Sequence, residues 1–368
     1  MSLAKIVKVD PANPKEEYLE AAAESIKNGG LVIIPTETVY GIAANMLNAQ
    51  TIERLYEIKG RSKDKPFSLH IDKKDKIKNF AIDIPVSAWK LIDRFWPGPL
   101  TIIFKAKNNT TIGTSTSLSA NGEQSRTIGM RMPDDEVALR VIALSGVPVV
   151  CPSANLSGSP APINFNQAIK DLAEKVDFAI DAGSVRLGLE STIVDLTQGR
   201  LRILREAAIK KDDIERTALK KTILFVCTGN SCRSVMAKAL LEEKLRQKKR
   251  TGVEVLSAGI MAGGMGATEA TKEALAREGI DVSGHRSQKI SEDMLRKSDL
   301  ILVMEKIHEE RILQLAPDIK NRVFLLKEFA KIDDANLGID DPIGMPAEFY
   351  EKTLEVIKEA VERISNII

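Results

Sequence analysis

The stretch Leu224-Phe-Val-Cys-Thr-Gly-Asn-Ser-Cys-Arg-Ser234 sets Cys227 at the end of an unbroken apolar run, with five residues between it and Arg233 and a helical pattern opening at Ser234. An apolar run without polar alternation marks a strand buried on both faces. Downstream, strand patterns at 222–226, 253–257, 300–304 and 323–326 alternate with helical patterns at 234–249 and 267–278, a further helix, and a long C-terminal one. Strict alternation predicts parallel strands joined by right-handed crossovers, hence an α/β, doubly wound, four-stranded parallel sheet with its ligand at the carboxyl ends of the strands. Cys227 stands at such an end. The loop Thr228, Gly229, Asn230, Ser231, Cys232 can turn successive backbone N–H groups inward, Gly229 permitting the tight turn. With the positive end of the following helix these groups form an anion-binding cup. The same field favours a thiolate at Cys227, a nucleophile for phosphorus, and the planar fork of Arg233 can grip two phosphoryl oxygens.

Working outward, the chain has 368 residues, 43% hydrophobic and 28% charged, which predicts an ordinary globular protein of two domains, possibly a third. The densely charged segment 209–221 places the boundary near 215, giving domains 1–214 and 215–368. Before it, short β-branched runs at 31–34, 101–104, 147–150 and 191–196 alternate with helical patterns at 16–27 and 52–59, a mixed α/β domain. The net charge is +2, with 29 Lys+Arg against 27 Asp+Glu in residues 1–218 and 24 against 24 in 219–368. Neither half is a polycation, so bulk electrostatic capture of nucleic acid is not expected, although Lys59, Arg61, Lys63 and Lys65 form a local basic strip. No apolar stretch is long enough for a membrane span and MSLAKIVKVD lacks a signal-peptide core, which predicts a cytoplasmic protein without membrane contact. Three cysteines and three scattered histidines assemble no zinc-type spacing, so no bound metal is expected.

CTGNSCRS after an apolar strand resembles the low-molecular-weight protein tyrosine phosphatase family, supported by SAG at 257–259, GHRS at 284–287 and Asp341-Pro342. The resemblance implies a cofactor-free phosphatase acting on a phosphorylated protein: Cys227 as nucleophile, Arg233 on the phosphoryl group, Asp341 as general acid, and Asn230, Ser234, Ser257 and His285 bracing the loop. The related arsenate reductases need further cysteines, and none follows Cys232. Cys232 reads equally well as a packing residue or as a partner of Cys227 in a reversible disulfide. Tyrosine-specific members carry a bulky aliphatic residue where this chain has Ser231, and aromatics after Asp-Pro where it has Ile343. Ser231 resembles the threonine of the bacterial protein-arginine phosphatases, so phosphoarginine is the expected substrate and phosphotyrosine the alternative.

In the first half, VIIPTETVYGIAA (32–44), KGRSKDKPFSLHI (59–71), FWPGPLTIIF (95–104), IGMRMP (128–133), CPSANLSG (151–158) and LESTIVDL (189–196) stand in the order of the YrdC-like threonylcarbamoyl-AMP synthase family, a resemblance covering nearly all of 10–207. It implies a reaction of threonine, bicarbonate and ATP, the last with Mg²⁺, serving modification of adenosine 37 in transfer RNA alongside other proteins of that pathway and the tRNA itself. Lys59, Arg61, Lys65, Thr127, Ser153, Asn155 and Arg205 fall on nucleotide positions. Thr38, His70, Arg131, Cys151 and Ser191 fall near threonine, with Cys151 contributing backbone and Arg131 the partner for the amino-acid carboxylate. The chain departs from many relatives at Ala161 and at Arg205-Glu206-Ala207, and a phosphatase replaces the C-terminal domain that longer members carry. An RNA-binding role or a different carbamoyl transfer stay open as alternatives for this half.

Overall fold

In the computed structural model, which describes residues 3–107, 115–118, 124–261 and 263–367, the chain separates into two compact units, Met1–Ala218 and Leu219–Ile368. The division falls after Ala218 rather than near 215 because the charged segment is itself a helix, Lys211–Leu219, whose i, i+4 pair Ile214 and Ala218 buries in the core of the first unit. The charges that mark a linker in the sequence cover the solvent face of that helix. Among the described residues no helix is long and apolar enough to cross a membrane.

In the first unit the described strands form one mixed sheet. PTETVY is the turn of a hairpin: Val32–Ile34 pairs antiparallel with Gly41–Asn45, Ile33 opposite Ile42. From that hairpin the sheet continues through Val149–Val150, Leu69–His70, Gln124–Arg131, Leu100–Ala106, Thr192–Asp195 and Arg202–Arg205. Alternate residues feed two cores, Ile33 and Ile42 one of them, Val32, Ile34 and Ala43 the other. The consequence for function lies at the strand ends. His70, Arg131 and Arg205 are last residues of their strands, Cys151 follows one, Ser191 precedes one, and Thr38 lies in the hairpin turn.

The second unit contains four parallel strands in the order Val253–Gly259, Lys221–Cys227, Leu300–Val303, Val323–Leu325. Ile223, Phe225 and Cys227 pack on one side with Met236, Leu240 and Ile357; Leu224 and Val226 pack on the other with Leu295, Ile312 and Ile319. Burial of both faces is what the unalternated apolar run required. From Lys221–Cys227 the chain moves first to one neighbouring strand and later to the other, so the crossovers diverge at its carboxyl end. Cys227 therefore sits at the switch point, where a doubly wound sheet opens a crevice.

Candidate active sites

In the first unit two cavities share Arg61, Ser153 and Glu190 as a common wall. Thr38, His70, Arg131, Cys151, Ser191 and Arg205 line the first, and Lys59, Lys65 and Asn155 the second. Every residue expected there from sequence is thus brought together except Thr127, which is buried and lines neither cavity. Its offset of four from Arg131 keeps it on the same sheet face but about 13 Å back along the strand.

The basic strip divides by role. The helix Ala49–Lys59 ends at Gly60 in the left-handed region (φ 56°), which suits a residue without Cβ. Lys59 is buried, and its ammonium donates to Ser153 O (2.6 Å), Asn155 O (2.6 Å) and Asn155 Oδ1 (2.9 Å). Its three donors are thereby taken by the SAN loop, so Lys59 holds that loop rather than offering a free charge. Burial, with the neighbouring Arg61 charge, pulls its pKa down to about 8. Lys63 pairs with Glu53. The cations left to the cavities are Arg61, whose Nε donates to Lys65 O and whose guanidinium lies 5.3 Å from the Phe67 ring centre, and the exposed Lys65. Arg205 donates to Ser191 O (2.9 Å) and pairs with Glu190.

Arg131 is buried with its charge already compensated. NH2 lies 2.7 Å from Glu37 Oε1 in an ion pair without hydrogen-bond alignment and donates to Thr38 Oγ1 (2.9 Å), while Nε donates to Gly98 O (3.2 Å). Glu37 is one residue that the sequence reading missed, and Glu190, in the wall between the cavities, is another; each carboxylate stands within a quoted motif, and that was its only signal. Burial, then the Arg131 charge, pushes His70 down to about 3, which leaves a neutral imidazole. Burial raises the Cys151 thiol to about 12. A Cβ at position 41 would stand 2.3 Å from Cys151 Sγ, so glycine there leaves room for that thiol.

In the second unit Cys227 Sγ lies 3.0 Å from Ser234 Oγ and 3.3 Å from the Asn230 N–H. Asn230 holds the loop in shape at φ 52°: its amide donates to Ser234 Oγ, its side-chain oxygen accepts from Gln288 N, and its carbonyl contacts His285 Nε2 at 2.8 Å. Ser234 and His285 are thus each hydrogen-bonded to Asn230 within this loop. The contact of Ser257 runs through its backbone carbonyl, which accepts from Gln288 Nε2. Gly259 admits the loop, since a Cβ there would meet Thr228 O, Asn230 N and Gly229 C at 2.8–2.9 Å.

Arg233 is fully buried. NH1 binds Glu305 and Ile339 O, NH2 binds Thr228 Oγ1 (3.1 Å) and Asp341, and Nε has no partner. An orphaned N–H on a buried cation is costly unless a ligand accepts from it, and an oxyanion taking Nε together with NH2 would match the guanidinium fork. Glu305 and His308 were missed in the sequence. They stand where Leu300–Val303 ends and the next helix, Lys306–Leu315, is capped, and the carboxyl end of the sheet was the available signal. Burial, then the Arg233 charge, lowers His308 to about 4.

A mixed sheet with two abutting polar cavities and a parallel sheet with a cysteine-arginine anion cup define two separate ligand-binding classes in one chain. The telomere recombination family (Sua5, YciO and YrdC) matches residues 24–207, and the low molecular weight phosphotyrosine protein phosphatase family matches 222–367; the chain belongs to both. The threonylcarbamoyl-AMP synthase of Pyrococcus abyssi is 38% identical over 202 residues, 55% of this chain and 57% of that one, so the chain spans little more than half the length of that relative. The protein-arginine-phosphatase of Geobacillus stearothermophilus is 37% identical over 144 residues, 39% of this chain and 93% of that one. The crystal structure of P. abyssi Sua5 complexed with L-threonine superposes with a TM-score of 0.52 at 25% identity, covering 87% of this chain and 99% of that one.

Proposed function

We propose that the chain is a bifunctional enzyme, a threonylcarbamoyl-AMP synthase followed by a cysteine-dependent phosphoprotein phosphatase. For the first unit, the observation that carries the reading is the shared wall of Arg61, Ser153 and Glu190, which lets an amino acid in one cavity meet a triphosphate in the other. Threonine nitrogen gains the carbon of bicarbonate with loss of water, a carboxylate oxygen of that carbamate bonds to the α-phosphorus of ATP, and pyrophosphate leaves. Arg61, Lys65 and Arg205 stabilise the charge building on the phosphates. Arg131, held by Glu37, orients threonine beside Thr38, Ser191 and the neutral His70. Mg²⁺ would arrive on the nucleotide phosphates as their counter-ion. The product would serve transfer-RNA modification in the cytoplasm with other proteins of that pathway.

For the second unit, the carrying observation is the unpartnered Nε of buried Arg233, whose NH2 donates to Thr228, the residue next to Cys227. Cys227 attacks phosphorus, and Asp341 gives its proton to the leaving group and then takes one from the water that hydrolyses the phosphocysteine. Asp341 pairs with Arg233 NH2, so substrate must displace it from that nitrogen before it can serve the leaving group. Small Ser231 and the exposed Ile343 leave out the wall that would hold a phenyl ring, which favours phosphoarginine over phosphotyrosine. The test is made on the full chain. Pyrophosphate release from ATP should depend on both threonine and bicarbonate, whereas an RNA-binding module would show only salt-sensitive RNA affinity. Phosphoarginine peptides should be turned over faster than phosphotyrosine peptides, and Ser231→Ile should reverse the order. Threonine-independent release rules out the synthase, and an order unmoved by Ser231→Ile rules out the phosphoarginine assignment.

A further inference from the structure

The hydroxyl of Thr228 is surrounded by donors. The backbone N–H of Glu305 points at His308 Nδ1 (3.1 Å), and since a backbone N–H can only donate, Nδ1 must present its lone pair. In the neutral ring the proton then resides on Nε2, which lies 3.0 Å from Thr228 Oγ1. His308 is fully buried and forms the other half of the capping box of Lys306–Leu315, so the helix start fixes both its tautomer and its aim. From the other side Arg233 NH2 donates to the same oxygen (3.1 Å). A hydroxyl oxygen has two lone pairs and one O–H. Two incoming donors occupy both lone pairs, and the O–H is left over. Thr228 is partly exposed and follows Cys227 directly in the cup.

We propose that Thr228 donates its hydroxyl proton to the oxyanion bound in the cup, and that His308, through the helix cap, is the positioning residue that commits it to donating. The inference rests on the phosphatase reading of the second unit. Thr228 thereby adds a side-chain donor to the backbone N–H groups and Arg233, and an isosteric valine would turn that donor into a methyl group facing an anion.

The experiment uses the full chain, with p-nitrophenyl phosphate as substrate and inorganic phosphate as competitive inhibitor. Thr228→Val should raise the phosphate inhibition constant about tenfold, as expected for a lost hydrogen bond to a charged group, and Thr228→Ser should recover most of that affinity. His308→Asn, whose amide oxygen can still accept from Glu305 N but whose shorter side chain falls short of Thr228, should weaken phosphate binding severalfold. In the wild type, imidazole ¹⁵N shifts should show His308 protonated on Nε2, a readout that does not depend on any variant folding. An unchanged inhibition constant in Thr228→Val, or a proton on Nδ1, overturns the proposal. A wild type that neither hydrolyses the substrate nor is inhibited by phosphate fails at the phosphatase reading itself, and the inference falls with it.

Discussion

Arg233 has two acidic neighbours, Glu305 and Asp341, around a guanidinium that water does not reach, and Arg131 has a buried one of its own, Glu37. A buried cation needs such counter-ions, and removing one partner strands the other. Glu37→Ala should therefore destabilise the first unit by about 3–5 kcal/mol, measurable as a lower denaturation midpoint in urea, with no change in phosphatase turnover. Cys227→Ser should abolish turnover of phosphorylated substrates while vanadate still binds through the loop amides and Arg233, checked by calorimetric titration; normal turnover would remove Cys227 from the mechanism. Arg61→Ala should lower threonine-dependent pyrophosphate release on the order of 100-fold, the usual loss for one preorganised group facing developing charge.

At the scale of elements, the phosphate loop depends on how closely the strand Val253–Gly259 approaches it. A Cβ at position 259 would meet three backbone atoms of that loop, which cannot step aside as a flexible side chain could. Gly259→Ala should consequently cost at least about tenfold in phosphatase kcat/KM, because displacements near 1 Å disorder a preorganised site, and synthase activity should be unaffected. The helix start at Glu305–His308 carries a pH dependence. His308 in the fold has a pKa of about 4, below the unfolded value, so the unfolded chain binds a proton that the native state refuses. Stability of the second unit should fall as pH drops from 6.5 towards 4, by on the order of 2–3 kcal/mol from this group. Urea titrations of wild type and His308→Asn across that range should show the variant with the flatter profile.

Over the whole molecule, each unit has its own pair of cores, one on each side of its sheet. Residues 1–218 and 219–368 made separately should each unfold cooperatively and keep their respective activities; loss of either activity on separation would show that one unit depends on the other. What the sequence by itself determined is whatever depends on local order. The unalternated run 222–226 required a strand buried on both faces, strict strand-helix alternation required parallel pairing, and Cys227 at a strand end with Gly229, Arg233 and a helix start after it pointed to an anion cup. The motifs of the first half likewise named eleven residues that do line its two cavities. Only the tertiary structure decided which charges are free. Lys59 and Arg61 look alike in a basic strip, yet one is consumed by carbonyls nearly a hundred residues away and the other faces the cavity. Glu37, Glu305 and His308 acquire their parts only because strands far apart in the chain end side by side. A charge acts through distance and burial, and neither exists for a chain read one residue at a time.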